Sequence, residues 1–195
     1  CFQGEIKINW ERLLKDFTLF IEYQIKLFGS FPHKDFLFLF QITPYRAYHG
    51  VEHHKSTVIL LGPSYDVFKH LYNELLGVSS HELYHVWNVK NIRPKTMSPY
   101  DFSKENYTHM GYVTEGVTTY MGDRILYESG VFSLEQYFLE LEKLFQRHFH
   151  NDGRNHYPVS ESSWDTWLDG YTGGIPGRKV SIYVEGALIA LICDA

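Results

Sequence analysis

The sequence predicts an α+β chain with a small sheet in its first third and a mainly helical remainder. Three observations carry that expectation. Two strand-like apolar runs, Phe36 to Ile42 and Ser56 to Leu61, fall in the first third. Long stretches of helical periodicity surround and follow them. The pentad His81-Glu82-Leu83-Tyr84-His85 has two histidines four apart, which on a helix lie on one face one turn apart. With 195 residues, 44% apolar and 21% charged, the chain has enough apolar material for a packed core. Aromatics reach 17%, with 15 Tyr and 14 Phe, and are read as core and cleft lining. A net charge of -5 argues against a nucleic-acid partner, and no run of about 18 apolar residues spans a membrane. Cys1 and Cys193, near opposite ends, make neither a disulfide framework nor a cysteine metal site.

The first helix is capped by Asn9, carries Trp10, Leu13, Leu14, Phe17, Ile21, Ile25 and Phe28 along one apolar face, and stops at Gly29. Phe36 to Ile42 reads as a strand buried on both faces. Tyr48 to Lys55 interrupts the apolar pattern with charge and with Gly50, which marks a bulge or a close approach of another backbone. It is read as an edge strand beside a cleft. Ser56 to Leu61 is the next strand, closed by Gly62-Pro63, and Ser64 to Leu76 has helical periodicity. Two readings compete at Gly77. A new helix can begin there, with Ser79 and Glu82 forming a capping box. Alternatively one helix runs from about Tyr72 through Val89 and tolerates Gly77 at roughly 1 kcal/mol. The continuous helix is preferred.

Pro94 closes that segment, and Lys95 to Tyr107 reads as a polar loop. Helical periodicity resumes over His109 to Glu128 (Tyr112, Val113, Val117, Tyr120, Met121, Ile125, Leu126) and ends at Gly130. Ser133 and Gln136 form a capping box for a further helix, whose stripe Leu134, Tyr137, Phe138, Leu141, Leu144 and Phe145 reads as ordinary core. Asn151 to Pro158 is turn-rich and a short helix follows around Ser163 to Leu168. Gly170 to Gly177 is a glycine-rich loop, and Val180 to Leu191 is the last apolar segment. The chain begins without Met and stops inside an apolar helical pattern, so it reads as a piece of a longer protein. Targeting segments can have been removed from such a piece.

The chemistry gathers at the histidine pentad. Imidazoles one helical turn apart can share a metal ion, and Glu82 beside them can take a proton from the attacking water. A hydrolytic zinc site usually takes three protein ligands. The extension with Gly at 88 and His at 91 is absent, because the chain has Asn88 and Asn91. A downstream acid on a second helix is the other common solution, and Glu105, Glu115, Asp123 and Glu128 are available. Glu105 lies in the polar loop, where nothing fixes its rotamer. Glu115, in Val113-Thr114-Glu115-Gly116-Val117, is flanked by apolar and small residues, and Gly116 permits close approach of a neighbouring helix.

Four separated segments then carry a resemblance. They are His81 to Lys90 with Ile92-Arg93-Pro94; Thr114-Glu115-Gly116-Val117-Thr118; Gly50-Val51-Glu52-His53; and Glu161 to Asp165 with Ser181-Ile182-Tyr183-Val184-Glu185-Gly186-Ala187. Together they resemble the catalytic part of the glycyl aminopeptidase family of gluzincin metallopeptidases, whose members often carry a PDZ domain. The resemblance covers nearly the whole chain in order. It implies a thermolysin-like gluzincin catalytic domain over residues 1–195, with flanking β and PDZ-like domains outside it. It implies one zinc ion held by His81, His85 and Glu115, with Glu82 as general base and Tyr183 as oxyanion donor. Gly50, Val51 and Glu52 would bind substrate, Glu52 taking the free α-amine. Asp123 and Thr119 are candidate partners of a zinc histidine. His49, Asn91 and Tyr112 depart from the family's usual pattern, and His49 adjoins the presumed amine site. The remaining histidines read as surface or hydrogen-bonded groups.

The expected function is zinc-dependent removal of N-terminal residues, small ones such as glycine favoured, from peptides with a free N-terminus. A zinc endopeptidase with the same metal site, in which Glu52 binds no amine, is the nearest alternative. A peptide-binding module with purely structural zinc is the other. The sequence does not fix the compartment, a soluble protein of the cytoplasm or the bacterial periplasm being equally compatible with it, and a homo-oligomer is open to the full-length protein.

Overall fold

The computed structural model describes residues 1–169 and 177–195. The expected glycine-rich loop therefore lies, apart from Gly177, outside the described residues. The architecture is α+β, with one small sheet near the N-terminus and a mainly helical remainder. The chain forms two compact units, one of Cys1–Trp87 with Gly122–Tyr137 and the other of Asn88–Met121 with Phe138–Ala195.

The first unit holds a four-stranded sheet in the order β1-β2-β4-β3. Its strands are β1 (Phe2–Gln3), β2 (Leu37–Ile42), β3 (Ala47–Glu52) and β4 (Ser56–Gly62). β2 pairs parallel with both β1 and β4, and β3 pairs antiparallel with β4, so β3 is the edge strand that the sequence predicts. The two-residue β1 was not anticipated, since two residues carry no periodicity. It is held by the stacking of Phe2 on Phe40, with ring centroids 4.4 Å apart.

Strand pairing puts Phe38, Phe40 and Ile42 of β2 on the same face as Thr57, Ile59 and Leu61 of β4. That face buries Phe40, Ile42, Thr57, Ile59 and Leu61. The opposite face is more open, with Leu37 59% exposed and Val58 and Val51 also exposed. β2 is thus not buried on both faces: its almost unbroken apolar run serves one covered face and one that faces out.

Helix α1 (Trp10–Phe28) starts where the Asn9 side chain accepts a hydrogen bond from the Arg12 N–H at 3.1 Å. It ends at Gly29, whose φ of +79° favours glycine. It buries Leu13, Phe17, Phe20 and Gln24, and the Phe17 ring meets Phe38 at 5.1 Å. Helix α2 (Tyr72–Tyr84) continues through Gly77, and buries most of its residues. The Ser79 hydroxyl donates inside the helix to the Leu75 carbonyl at 2.6 Å, so no capping box forms and Glu82 is released from that duty. Gln24, fully buried, donates to the carbonyl and hydroxyl oxygens of Ser80, whose own hydroxyl donates to the Gly122 carbonyl. A buried polar relay thereby fixes three chain segments next to His81.

Two stretches differ from expectation. Ser64 to Leu71, where the spacing is helical, is a series of turns, the Asp66 carbonyl accepting from both Lys69 and Leu71, and the helix begins at Tyr72 as the continuous-helix reading has it. At its far end α2 stops at Tyr84 with His85 as cap, five residues short of Val89. The N–H groups of Val86 and Trp87 bond three residues back, tightening the chain out of the helix. Val89 then adopts φ +96°, a conformation that β-branched residues rarely take. Its N–H donates to the Ile92 carbonyl and its carbonyl accepts from Arg93 Nε, which holds the unusual backbone in place.

The second unit is organised around α7 (Ile182–Asp194), which begins at Ser181, whose side chain accepts from the Val184 N–H. Tyr120, Leu144, Val184, Ala187 and Leu188 form its apolar cluster. The segment predicted as one helix over His109 to Glu128 is instead a π-helical turn, Tyr112–Val117, running into α3 (Thr118–Glu128). α4 (Leu134–Phe149) follows the capping box as expected, Ser133 and Gln136 bonding reciprocally. Its stripe is only partly core, because Leu134, Phe138 and Phe145 are exposed, Phe138 at 55%. The short helix expected near Ser163 to Leu168 is two pieces, α5 (Val159–Trp164) and α6 (Thr166–Asp169).

Candidate metal centre

His81 and His85 end α2 one turn apart, and their Nε2 atoms lie 3.1 Å from each other. Two nitrogens bound tetrahedrally to one zinc at the usual bond lengths stand about 3.3 Å apart. The pair therefore fits a single shared ion. His85 is 2% exposed, so its ring is held by packing and not by solvent.

Between them Glu82 points toward the sheet. Its carboxylate lies under Gly50 of β3: a Cβ built on Gly50 would fall 2.1 Å from Glu82 Oε1 and 2.9 Å from Val78 Cγ2. The glycine makes no bulge, since it pairs in register with Ile59. It is the close approach that the sequence allowed for, although what approaches is a side chain and not a backbone. Glu52, two residues along the same strand, shares that face. One ligand atom from each of Glu52, Glu82 and His85 lie within 4.8 Å of one another. Glu82 is 5% exposed. Two carboxylates and an imidazole held this close in a largely buried setting invite a cation, because nearby like charges are costly without one. Val51, the remaining residue of the predicted substrate strand, is exposed on the opposite side of β3.

The other acids named by the sequence separate clearly. Glu128 accepts from Arg124 Nε at 2.8 Å and from the Tyr23 phenol. The Tyr23 hydrogen bond, more than any other influence, holds its carboxyl below the usual range. Glu105 is exposed in its loop. Asp123 is half-buried, its Oδ1 3.7 Å from the point where a Gly77 Cβ would lie, one turn before His81. Thr119 spends its hydroxyl on the Glu115 carbonyl at 2.9 Å.

Glu115 belongs to the second unit and sits in the π-helical turn. Such turns disturb the regular bonding ladder and are frequent at functional sites. Here Asn88 repairs the disturbance. Its side-chain amide donates toward the carbonyls of Val113 and Thr114 and the hydroxyl of Thr118, at 2.9–3.2 Å. Gly116, next to Glu115, packs on Gly186 of α7, where any Cβ would meet backbone at 2.3 Å. Tyr183 lies half-buried in the first turn of α7. The sequence places Asn88 in the segment that carries the resemblance and uses it to exclude another zinc motif, but shows nothing of this structural task. Thr57 is read there only as one residue of the Ser56 to Leu61 strand.

A family profile described as M61 glycyl aminopeptidase matches residues 74–189, more than half of the chain. Among solved structures, an aminopeptidase N family protein from Idiomarina loihiensis is similar at a TM-score of 0.89 and 31% identity. That similarity covers 97% of this chain and 34% of the other, so the chain spans about a third of that protein's length. No sequence among the curated proteins matches. The resemblance drawn from the four sequence segments is borne out: the chain belongs to the M61 glycyl aminopeptidase family of peptidases.

Proposed function

We propose that the chain is the catalytic domain, of thermolysin-like gluzincin type, of a zinc aminopeptidase. It removes N-terminal residues, glycine and other small ones favoured. His81, His85 and Glu115 would hold the ion; two neutral imidazoles and one carboxylate leave it a net positive charge. Zinc, when bound, supplies a Lewis acid and a more acidic water. Glu82 takes the proton of the attacking water and returns it to the leaving amine. The Tyr183 phenol donates to the oxyanion, and Glu52 pairs with the substrate's α-ammonium.

The observation that carries this reading is the nearness of Glu52, Glu82 and His85 on one side of β3. In a peptide the α-nitrogen is only about 2.5 Å from the carbonyl carbon of the same residue. A carboxylate that binds the amine this close to the base leaves room for one residue, which is the geometry of an aminopeptidase. The test compares one peptide with a free N-terminal glycine and its N-acetylated form, using the intact protein. Acetylation leaves Glu52 without its charged partner and is expected to lower kcat/KM by at least about 100-fold. Equal cleavage of both forms would identify an endopeptidase instead. Chelation should abolish activity and added zinc restore it; activity that survives complete metal removal rules out the zinc reading.

Gly50 gives a second expectation. Gly50→Ala places a methyl where Glu82 Oε1 now lies, so kcat should fall about tenfold or more while the protein stays folded. Wild-type kcat in a folded Gly50→Ala protein would mean that Glu82 does not work from beneath this strand.

A further inference from the structure

Thr57 stands in β4 directly opposite Glu52 and is fully buried. Its inward-facing companions on β4, Ile59 and Leu61, are apolar, so packing alone would be served as well by a valine. The hydroxyl has definite neighbours. Thr57 Oγ1 lies 3.1 Å from the Val51 carbonyl oxygen and 3.5 Å from Glu82 Oε2. Glu82 Oε1 is the oxygen lying beneath Gly50. The two carboxylate oxygens therefore have different surroundings, one against a buried hydroxyl and the other against the edge strand.

We infer that Thr57 is a positioning residue for the peptidase reaction, its hydroxyl bridging the Glu82 carboxylate and the backbone of the strand that carries Glu52. A hydroxyl has one proton and can donate to only one of these oxygens at a time, yet its oxygen touches both. The Val51 carbonyl is the nearer acceptor; a charge-assisted bond to Oε2 forms when the carboxylate closes from 3.5 Å to below about 3 Å, and it would then fix that oxygen. The distance between the base and the amine-binding strand is then set by one side chain. Misplacement of a reacting group by about 1 Å can cost two orders of magnitude in rate, so a residue of this kind acts on kcat. The inference rests on the proposed role of Glu82 as general base.

The experiment measures kcat, KM and zinc content for Thr57→Val and Thr57→Ser in the intact protein. Thr57→Ala serves as a second hydroxyl-free variant should the valine protein not fold. The hydroxyl-free variants are expected to lose about tenfold in kcat, with KM within about twofold and zinc content unchanged. Thr57→Ser keeps the oxygen and should recover most of the rate. Wild-type kcat without the hydroxyl, a serine variant as slow as the valine one, or zinc loss that parallels the rate loss overturns the assignment. Glu82→Gln measured beside them separates the two levels. If it is inactive while Thr57→Val is fully active, only the role of Thr57 falls; if it is fully active, the base falls and Thr57 with it.

Discussion

Glu82→Gln is expected to lower kcat by about a thousandfold, within the range that a well-placed general base contributes. KM should stay near its wild-type value, and zinc should remain bound, because glutamine keeps the shape beneath Gly50 and the proposed ligands are untouched. Stability should move the other way. Glu82 and Glu52 are like charges with carboxylate oxygens within 4.8 Å, and Glu82 is nearly inaccessible. Replacing one by a neutral amide relieves repulsion and the burial of charge, so the variant should melt at or above the wild-type temperature. The competing explanation for a glutamate here, a helix cap with Ser79, is excluded by the Ser79 bond back to Leu75. Kinetics and a melting curve on the same preparation decide the matter. A variant that keeps more than a tenth of the wild-type kcat, or melts well below the wild type, would show that Glu82 serves the fold and not the chemistry.

What the sequence made legible follows from how local each signal is. Asn9, Gly29 and the Ser133–Gln136 pair act on the backbone within four residues, and each forms the cap its type and spacing predict. The pairing of His81 with His85 is equally local, one turn of helix. The end of α2 was misplaced because it depends on Val89 at φ +96°, a state held by bonds from Ile92 and Arg93 against the residue's own preference. The turns at Ser64 to Leu71 have the same periodicity as a helix, so spacing alone cannot tell them apart. The π-helical turn around Glu115 is invisible because its six residues are too few for the apolar spacing to show a wider turn. Thr57 was missed because its neighbours there, the Val51 carbonyl across the sheet and the Glu82 side chain 25 positions away, are brought to it only by folding.

The largest effect on stability is expected at Gly186, where two rules predict opposite signs. Gly186 lies inside α7, and replacing an interior helical glycine by alanine ordinarily stabilises by about 1 kcal/mol. Here a Cβ would stand 2.1 Å from the Tyr112 carbonyl oxygen and 2.8 Å from the Cα of Gly116. Both obstacles are backbone, so no side chain can rotate away, and the π-helical turn itself must shift. Overpacking of this kind typically costs about 1–3 kcal/mol and occasionally more. Packing at the upper end of that range should win, and after the propensity gain Gly186→Ala is expected to lower stability by about 2 kcal/mol. That corresponds to a melting temperature lower by about 6 °C for a chain of this size. Glu115 adjoins Gly116 on the displaced turn, so if it holds zinc, the folded fraction should also retain less metal on dialysis. An increase in melting temperature would mean that propensity outweighs the crossing and that the two helices have room to part. Unchanged zinc retention in a clearly destabilised protein would separate the crossing from the metal, leaving Gly116 and Gly186 a packing role alone. The paired glycines thus tie the least legible local structure, the π-helical turn, to Glu115, the acid proposed as the third ligand.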